Sequence, residues 1–421
     1  MKKFLLVLLI LLVGFGGLVL FKNLNKGIPK LDIEEEVSNI DLITIYGTHL
    51  NIHGSLVNEK NLDLVLYNGE FKSYELQASD GAFTLSNHIN DGIYLEDFPV
   101  GTYYLFLRST GKDEKDKDVY KYYALNNTTD YKETTYYTFS NANNKIVISS
   151  DDEYNTLVLT VNENTDDNIY DVVIDPGHGG MDSGANKNGY SETDFTMDIA
   201  MKIKERLESY GVRVKLTREE GQLTKNEVLS DYGKGGRAVI SHEVNAKYLF
   251  SIHLNSNGST SIHGVEIYAP VNIDYQFAKT LAANIVEKTG TSYSNNRVSR
   301  VFDGIYSRTF TEYDVKTSLE EYANKNMEAY DITTKSNYYY MIRETGGIMT
   351  GAYVDNRNEP KIKANPYYNS NVGTEAYLCE LGYLTNTTDL ENIKNNEDKY
   401  VEAIADSFMT LFNVNYTNEG W

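Results

Sequence analysis

A chain of 421 residues exceeds one ordinary domain, so two folded units are the natural expectation. Its hydrophobic (41%) and charged (24%) fractions are globular values and exclude a disordered chain. A net charge of −21 argues against nucleic acid as a partner, and against broad attraction to anionic lipid or polymer.

The chain begins Met1-Lys2-Lys3, followed by an uncharged run from Phe4 to Phe21 and then Lys22 and Lys26. At 1.5 Å per residue the run spans ~27 Å, close to the hydrocarbon core of a bilayer. It is longer than a signal-peptide core, and no small-x-small cleavage site follows it. Residues 1–22 are therefore expected to be a single-pass transmembrane signal-anchor, with everything after them outside the cell membrane. The alternative is a secreted protein released by cleavage. Residues 23–40, with Glu34-Glu35-Glu36, read as a linker.

From 41 to 164 the pattern is all β. Asp63-Leu64-Val65-Leu66-Tyr67-Asn68 ends at an Asn-Gly turn, and Thr156 to Val161 alternates apolar with polar residues. Strand spacing predicts a sandwich-like unit of seven or eight strands. The stretch Gly92 to Leu107, built around Pro99-Val100-Gly101, resembles the strand-turn-strand of prealbumin-like surface modules. His49, His53 and His88 stand alone here, so this unit is expected to be a spacer or adhesion module. The 35 tyrosines suit strands and carbohydrate-facing surfaces alike.

A polar stretch, Asn164 to Asn168, separates this region from residues 165–421, where strands alternate with helices. Such alternation predicts an α/β unit, a mainly parallel open sheet flanked by helices. After the strand ending at Ile174, a helix is expected over Glu192–Ser209, with Phe195, Ile199, Ile203 and Leu207 as its apolar stripe. Ser191 is its expected N-cap, with Asp194 three residues on, and Gly211 its C-terminal stop. A strand at Val212–Leu216, a helix near Arg237–Ala246 and a strand ending at His253 follow. Beyond them come a strand at Gly264–Tyr268 and a helix at Tyr275–Lys288. An acidic, aromatic insertion occupies 293–340, with a helix expected near Glu320–Ala329. It reads as a solvated surface insertion or as a lid over the site.

Three apolar runs of this unit end on residues able to serve a metal. Val172 to Asp175 leads into Pro176-Gly177-His178-Gly179-Gly180, Tyr248 to Ile252 leads into His253, and Ala376 to Cys379 leads into Glu380. Ligands gather outside the carboxyl ends of strands in open α/β sheets, so these endings can converge. Glu192, at a helix start, is the fourth member. Two His and one carboxylate, with a position left for water, make up a hydrolytic zinc site, and a second carboxylate serves as general base. The candidate zinc ligands are His178, Glu192 and His253, and the candidate base is Glu380. His263 and His242 are competing histidines that read as surface and as a satisfied helix side chain. Cys379, the single cysteine, reads as a small core residue.

At these residues the chain resembles the type-3 family of zinc-dependent N-acetylmuramoyl-L-alanine amidases. The matching segments are Val172 to Gly180, Asp182-Ser183-Gly184-Ala185, Ser191-Glu192, Leu216-Thr217-Arg218, Phe250 to Ser256, Gly264-Val265-Glu266 and Glu380 to Asn386, in the family's order. The resemblance implies a Zn2+ held by His178, Glu192 and His253, with Glu380 catalytic. It also implies hydrolysis, without a covalent intermediate, of the amide between N-acetylmuramic acid and the L-alanine of the peptidoglycan stem. Arg343, in Met341-Ile342-Arg343, matches a family arginine and is expected to contact substrate or transition state. Rival readings are a zinc peptidase of the stem peptide, an inactive wall-binding protein, and an adhesin led by the β unit. No residue pattern identifies a protein that times the activity.

Overall fold

Buried and half-buried residues alternate along Thr134–Tyr137, a strand with one face on the core, and such pairs of faces build the layers of the first half. The computed structural model describes residues 31, 33–34, 38–56, 61–79, 81–126, 133–180, 182–219, 236–324, 332–352 and 365–414. Between 38 and 163 the described elements are all strands, twelve of them rather than seven or eight. One layer runs Thr134–Tyr137, Asn144–Asp151, Thr156–Glu163, Gly101–Lys112 and Asp118–Asn126, with Leu62–Tyr67 also paired to Gly101–Lys112. The other runs Ser38–Tyr46, His49–Ser55, Ala82–Thr84 and Gln77–Ser79. Parallel pairing of Ser38 and Asn39 with Leu125 and Asn126 joins them along one edge. Ile43, Ile52, Leu64, Leu107, Ile148 and Leu159 share the core between them.

From Val172 onward strands and helices mix. The principal elements are β1 (Val172–Pro176), α1 (Glu192–Ser209), β2 (Val214–Leu216), α2 (Ile240–Glu243), β3 (Tyr248–Asn255) and β4 (Glu266–Tyr268). They continue as α3 (Gln276–Thr289), β5 (Arg300–Phe302), β6 (Ile305–Tyr306), α4 (Glu312–Asn324), α5 (Tyr340–Thr345), β7 (Glu375–Tyr383) and α6 (Thr387–Leu411). The sheet order is β2-β1-β3-β7-β4-β6-β5. β2, β1, β3 and β7 are parallel, which suits strands apolar on both faces. Val172, Ile174, Phe250 and Tyr377 point to the core beneath α1, α3 and α6, while Val173, Leu249 and Ala376 pack beneath α5. On the other side β4 runs antiparallel to β7 and β5 to β6, while β6 lies parallel to β4, so the sheet is mainly parallel, as expected.

Three helix expectations also change. Ser191 has the extended N-cap backbone of α1, but its side chain makes no cap bond; the amides of Glu192 and Thr193 donate instead to the carbonyls of Ala185 and Ser183. The helix near Arg237–Ala246 shrinks to the four residues of α2, beyond which Asn245 takes a positive φ of 54°. The insertion helix starts at Glu312, not near Glu320, because Thr311 and Asp314 form a reciprocal cap, each side chain accepting the other's backbone N–H.

The polar stretch after residue 163 does not hold the β unit apart from the α/β unit. Val372–Gly373, just before β7, pairs in parallel with Ile45 and Tyr46 of the β unit. Phe139 packs against Tyr248 and Phe412. Buried Lys247 donates to the Thr138 carbonyl at 3.0 Å and lies 3.8 Å from Asp171. Asp171 in turn accepts from the Ser140 hydroxyl at 2.7 Å. Buried apolar area and buried charges spanning both units make them one packed body. No helix among the described residues is long and apolar enough to cross a membrane; the expected anchor at 1–22 lies outside them.

Candidate metal centre

β1, β3 and α1 deliver their polar ends to one point. His178 Nε2 and His253 Nδ1 stand 3.1 Å and 3.0 Å from the same oxygen, Oε1 of Glu192. One ligand atom from each of the three residues lies within 4.8 Å of the other two, a grouping able to hold a metal ion. Glu192 is 3% exposed, and its two oxygens also accept from the Leu254 and Ala185 amides, each at 2.9 Å. Its long reach from a helix start is thus fixed by strand and loop backbone. Burial pushes its carboxyl up, but hydrogen bonds from His178 and His253 outweigh this and hold it far below the usual carboxylate range.

His178 sits in a turn at a positive φ of 58°, costly for a side-chain-bearing residue. Neighbouring groups brace it. Arg237 donates to the His178 carbonyl at 2.7 Å and pairs with Asp175 at 3.1 Å, while Arg218 donates to the Pro176 and Gly177 carbonyls. Asp182 Oδ2 lies 2.7 Å from His178 Nδ1. Burial lowers the imidazole pKa, but the bonds and charges of Glu192 and Asp182 prevail and raise it to about 9. The glycines are steric necessities: a Cβ on Gly177 would lie 2.6 Å from His253 Nδ1, and one on Gly184 2.6 Å from Glu192 Oε2.

Glu380 joins the same end of the sheet, with His253 on β3 and Glu266 on β4 as its register partners. Its Oε2 is buried and has no hydrogen-bond partner among the described residues. Burial, and then the charges of Glu192 and Glu266, push its pKa well up. A bare carboxylate oxygen beside a His-Glu-His cluster fits a divalent cation and its water, whose positive charge and protons would satisfy it. The donor set is also that of a metal with a free coordination position.

Arg343 behaves differently. It is 1% exposed, its guanidinium donates to the Asn337 and Tyr338 carbonyls at 2.9 Å and 2.8 Å, and its Nε meets Glu344. These Nη1 donors hold the backbone leading into α5. His242 bonds the Thr345 carbonyl and His263 the Ser292 hydroxyl, both outside the cluster. The reading of single residues missed Asp182, Arg237 and Glu266 as partners of the site. Only Asp182 had a usable signal, four positions after His178 in the Gly-rich loop.

The family model described as N-acetylmuramoyl-L-alanine amidase matches residues 172–409, and so includes the three residues of the cluster and Glu380. A germination-specific N-acetylmuramoyl-L-alanine amidase of Bacillus subtilis (strain 168) is 22% identical over 224 residues, 52% of this chain and 81% of that protein. The N-acetylmuramoyl-L-alanine amidase LytC of the same organism is 32% identical over 117 residues, 28% of this chain and only 22% of that protein, so the chain spans about a fifth of it. Among solved structures, the catalytic domain of the amidase CwlV from Bacillus (Paenibacillus) polymyxa aligns with a TM-score of 0.37 and 21% identity, covering 59% of this chain and all of that one. With over half of its length matched by the family model, the chain belongs to the N-acetylmuramoyl-L-alanine amidase family.

Proposed function

We propose that the chain hydrolyses the amide between the lactyl group of N-acetylmuramic acid and the L-alanine of the peptidoglycan stem, in wall remodelling or cell separation. The observation that carries this reading is the convergence of His178, Glu192 and His253, with the partnerless oxygen of Glu380 at the same sheet end. Family membership supports the substrate class. His178 Nε2, His253 Nδ1 and a Glu192 oxygen would hold the metal, and we assign zinc from the two-imidazole, one-carboxylate set. Zinc bound there would polarise the scissile carbonyl and bring a water's pKa to about 7.

Glu380 would take a proton from the attacking water as the water's oxygen adds to the carbonyl carbon. The same carboxyl would then deliver that proton to the alanine nitrogen as the C–N bond breaks, and the water's second proton, left on the new lactyl carboxyl group, would pass to the released amine, giving a carboxylate and an ammonium. The buried position of its Oε2 keeps bulk water from competing for that proton. Localisation at the outer face of the cell membrane, through the run Phe4–Phe21, is part of the proposal, with a secreted form as the alternative.

The test is mass spectrometry of purified peptidoglycan digested by the full chain, with and without chelator. Intact stem peptides bearing a free L-alanine amine, lost on chelation and restored by zinc, are expected. Glu380→Gln should keep the metal and lose about 10²–10⁴-fold in turnover. Cuts within the stem would instead establish a peptidase, and full hydrolysis by metal-free protein would end the reading.

A further inference from the structure

Glu266 is fully buried, yet its carboxylate accepts four hydrogen bonds. On Oε1 these come from the hydroxyls of Tyr383 at 2.5 Å and Ser294 at 2.6 Å. On Oε2 they come from the Tyr268 hydroxyl at 2.5 Å and the Asn255 amide at 3.0 Å. Four donors fill what a carboxylate can accept, so the group is held from every side. The strands it joins are informative. Asn255 ends β3, two residues beyond His253, and Tyr383 ends β7, three residues beyond Glu380.

Between these positions the β3–β7 ladder loses register: His253 pairs with Glu380, but Asn255 pairs with Tyr383, leaving an extra residue on β7. A bulge bends and loosens a ladder, here at the point where a candidate ligand and the candidate base face each other. Glu266, itself the register partner of Glu380 on the other flank, spans that break with one oxygen on each strand end.

We propose that Glu266 is a positioning residue for hydrolysis. Through Asn255 and Tyr383 it clamps the ends of β3 and β7 together and so fixes Glu380 relative to His253. The proposal rests on the catalytic reading above. It assigns Glu266 no contact with substrate. A carboxylate that merely filled a core polar site would, when lost, lower stability and metal binding together; a clamp predicts that the base is misplaced while the ligands stay.

The test compares full-length wild type, Asn255→Ala, Tyr383→Phe and the double variant, which remove donors and leave Glu266 in place. On a soluble disaccharide-peptide muropeptide each single variant should lose about 10–100-fold in kcat, the scale of a misplacement near 1 Å. KM should stay within about twofold, the pattern of an interaction made in the transition state alone. The double variant should fall no further than the weaker single, because both break one clamp. Cobalt(II) affinity and its visible spectrum should match wild type. Unchanged kcat, multiplicative losses, or cobalt affinity falling in step with kcat would each overturn the proposal. Crystal structures of the variants provide a readout independent of turnover: the Glu380 carboxylate should move relative to His253, and an unmoved Glu380 would refute the clamp. A wild type that binds cobalt but cleaves no muropeptide would instead refute the catalytic reading, with the crystallographic comparison still deciding the clamp.

Discussion

Asp182 holds the ring nitrogen of His178 that faces away from Glu192: Oδ2 of Asp182 lies 2.7 Å from Nδ1 of His178, while Nε2 faces the cluster. The contact fixes the ring's orientation and leaves Nε2 as the nitrogen available to a metal. Outer partners of this kind are worth about 10–100-fold in metal affinity. Asp182→Ala is therefore expected to weaken zinc binding by about that factor, measured by chelator competition.

Both nitrogens of His178 face carboxylate oxygens, which accept and cannot donate, so the metal-free ring carries two protons up to a pKa of about 9. Metal must displace the Nε2 proton. Zinc affinity should accordingly rise with pH, by up to about tenfold per unit, and level off near pH 9. Metal-free stability should move the opposite way. With the folded pKa above the unfolded value near 6.5, the folded state binds more protons between roughly 6.5 and 9, so stability is full below that window and is lost as pH rises through it. Thermal unfolding of chelator-treated protein across pH 6–9 checks the sign, and Asp182→Ala should flatten the slope.

Gly177 needs no positive φ, and its requirement is purely one of space. A methyl group there meets the His253 ring at 2.6 Å from either nitrogen. Gly177→Ala should tilt or displace His253 and cost more than tenfold in metal affinity. Far-UV circular dichroism should stay that of the parent. A variant binding zinc normally would show that β1 can yield at this point.

The convergence at the carboxyl ends of β1, β3 and β7 was legible because each ending is a local signal: a buried apolar run, then a His or Glu. The convergence of His178 with Glu192 was legible only through the Gly-rich loop, since fourteen positions separate them. What joins the ends was not legible. Glu266 reads as an ordinary strand residue until Asn255, Ser294 and Tyr383 are seen to meet on it, and those partners are set by a bulge and a strand reversal that leave no local mark. The antiparallel course of β4 was missed for the same reason, because direction in a sheet depends on long-range order and not on composition. Arg343 shows the opposite limit: its motif is legible, but a motif carries no burial and does not show that the guanidinium donates to the Asn337 and Tyr338 carbonyls.

Phe139 tests whether the two units are energetically one. It belongs to the β unit, is 3% exposed, and its ring lies 4.7 Å from that of Phe412 and 6.4 Å from that of Tyr248. Lys247, the residue before β3, places its ammonium 5.4 Å from the same ring. Truncating a buried Phe costs about 3–5 kcal/mol, part of it from the cavity left behind. If the β unit were a spacer, Phe139→Ala would unfold that unit early and leave the α/β unit's transition untouched. With Val372–Gly373 paired to Ile45 and Tyr46, the expected result is a single transition shifted to lower denaturant, with zinc affinity lost at the same midpoint. Two separated transitions, with metal retained across the first, would show that the interface does not couple the units.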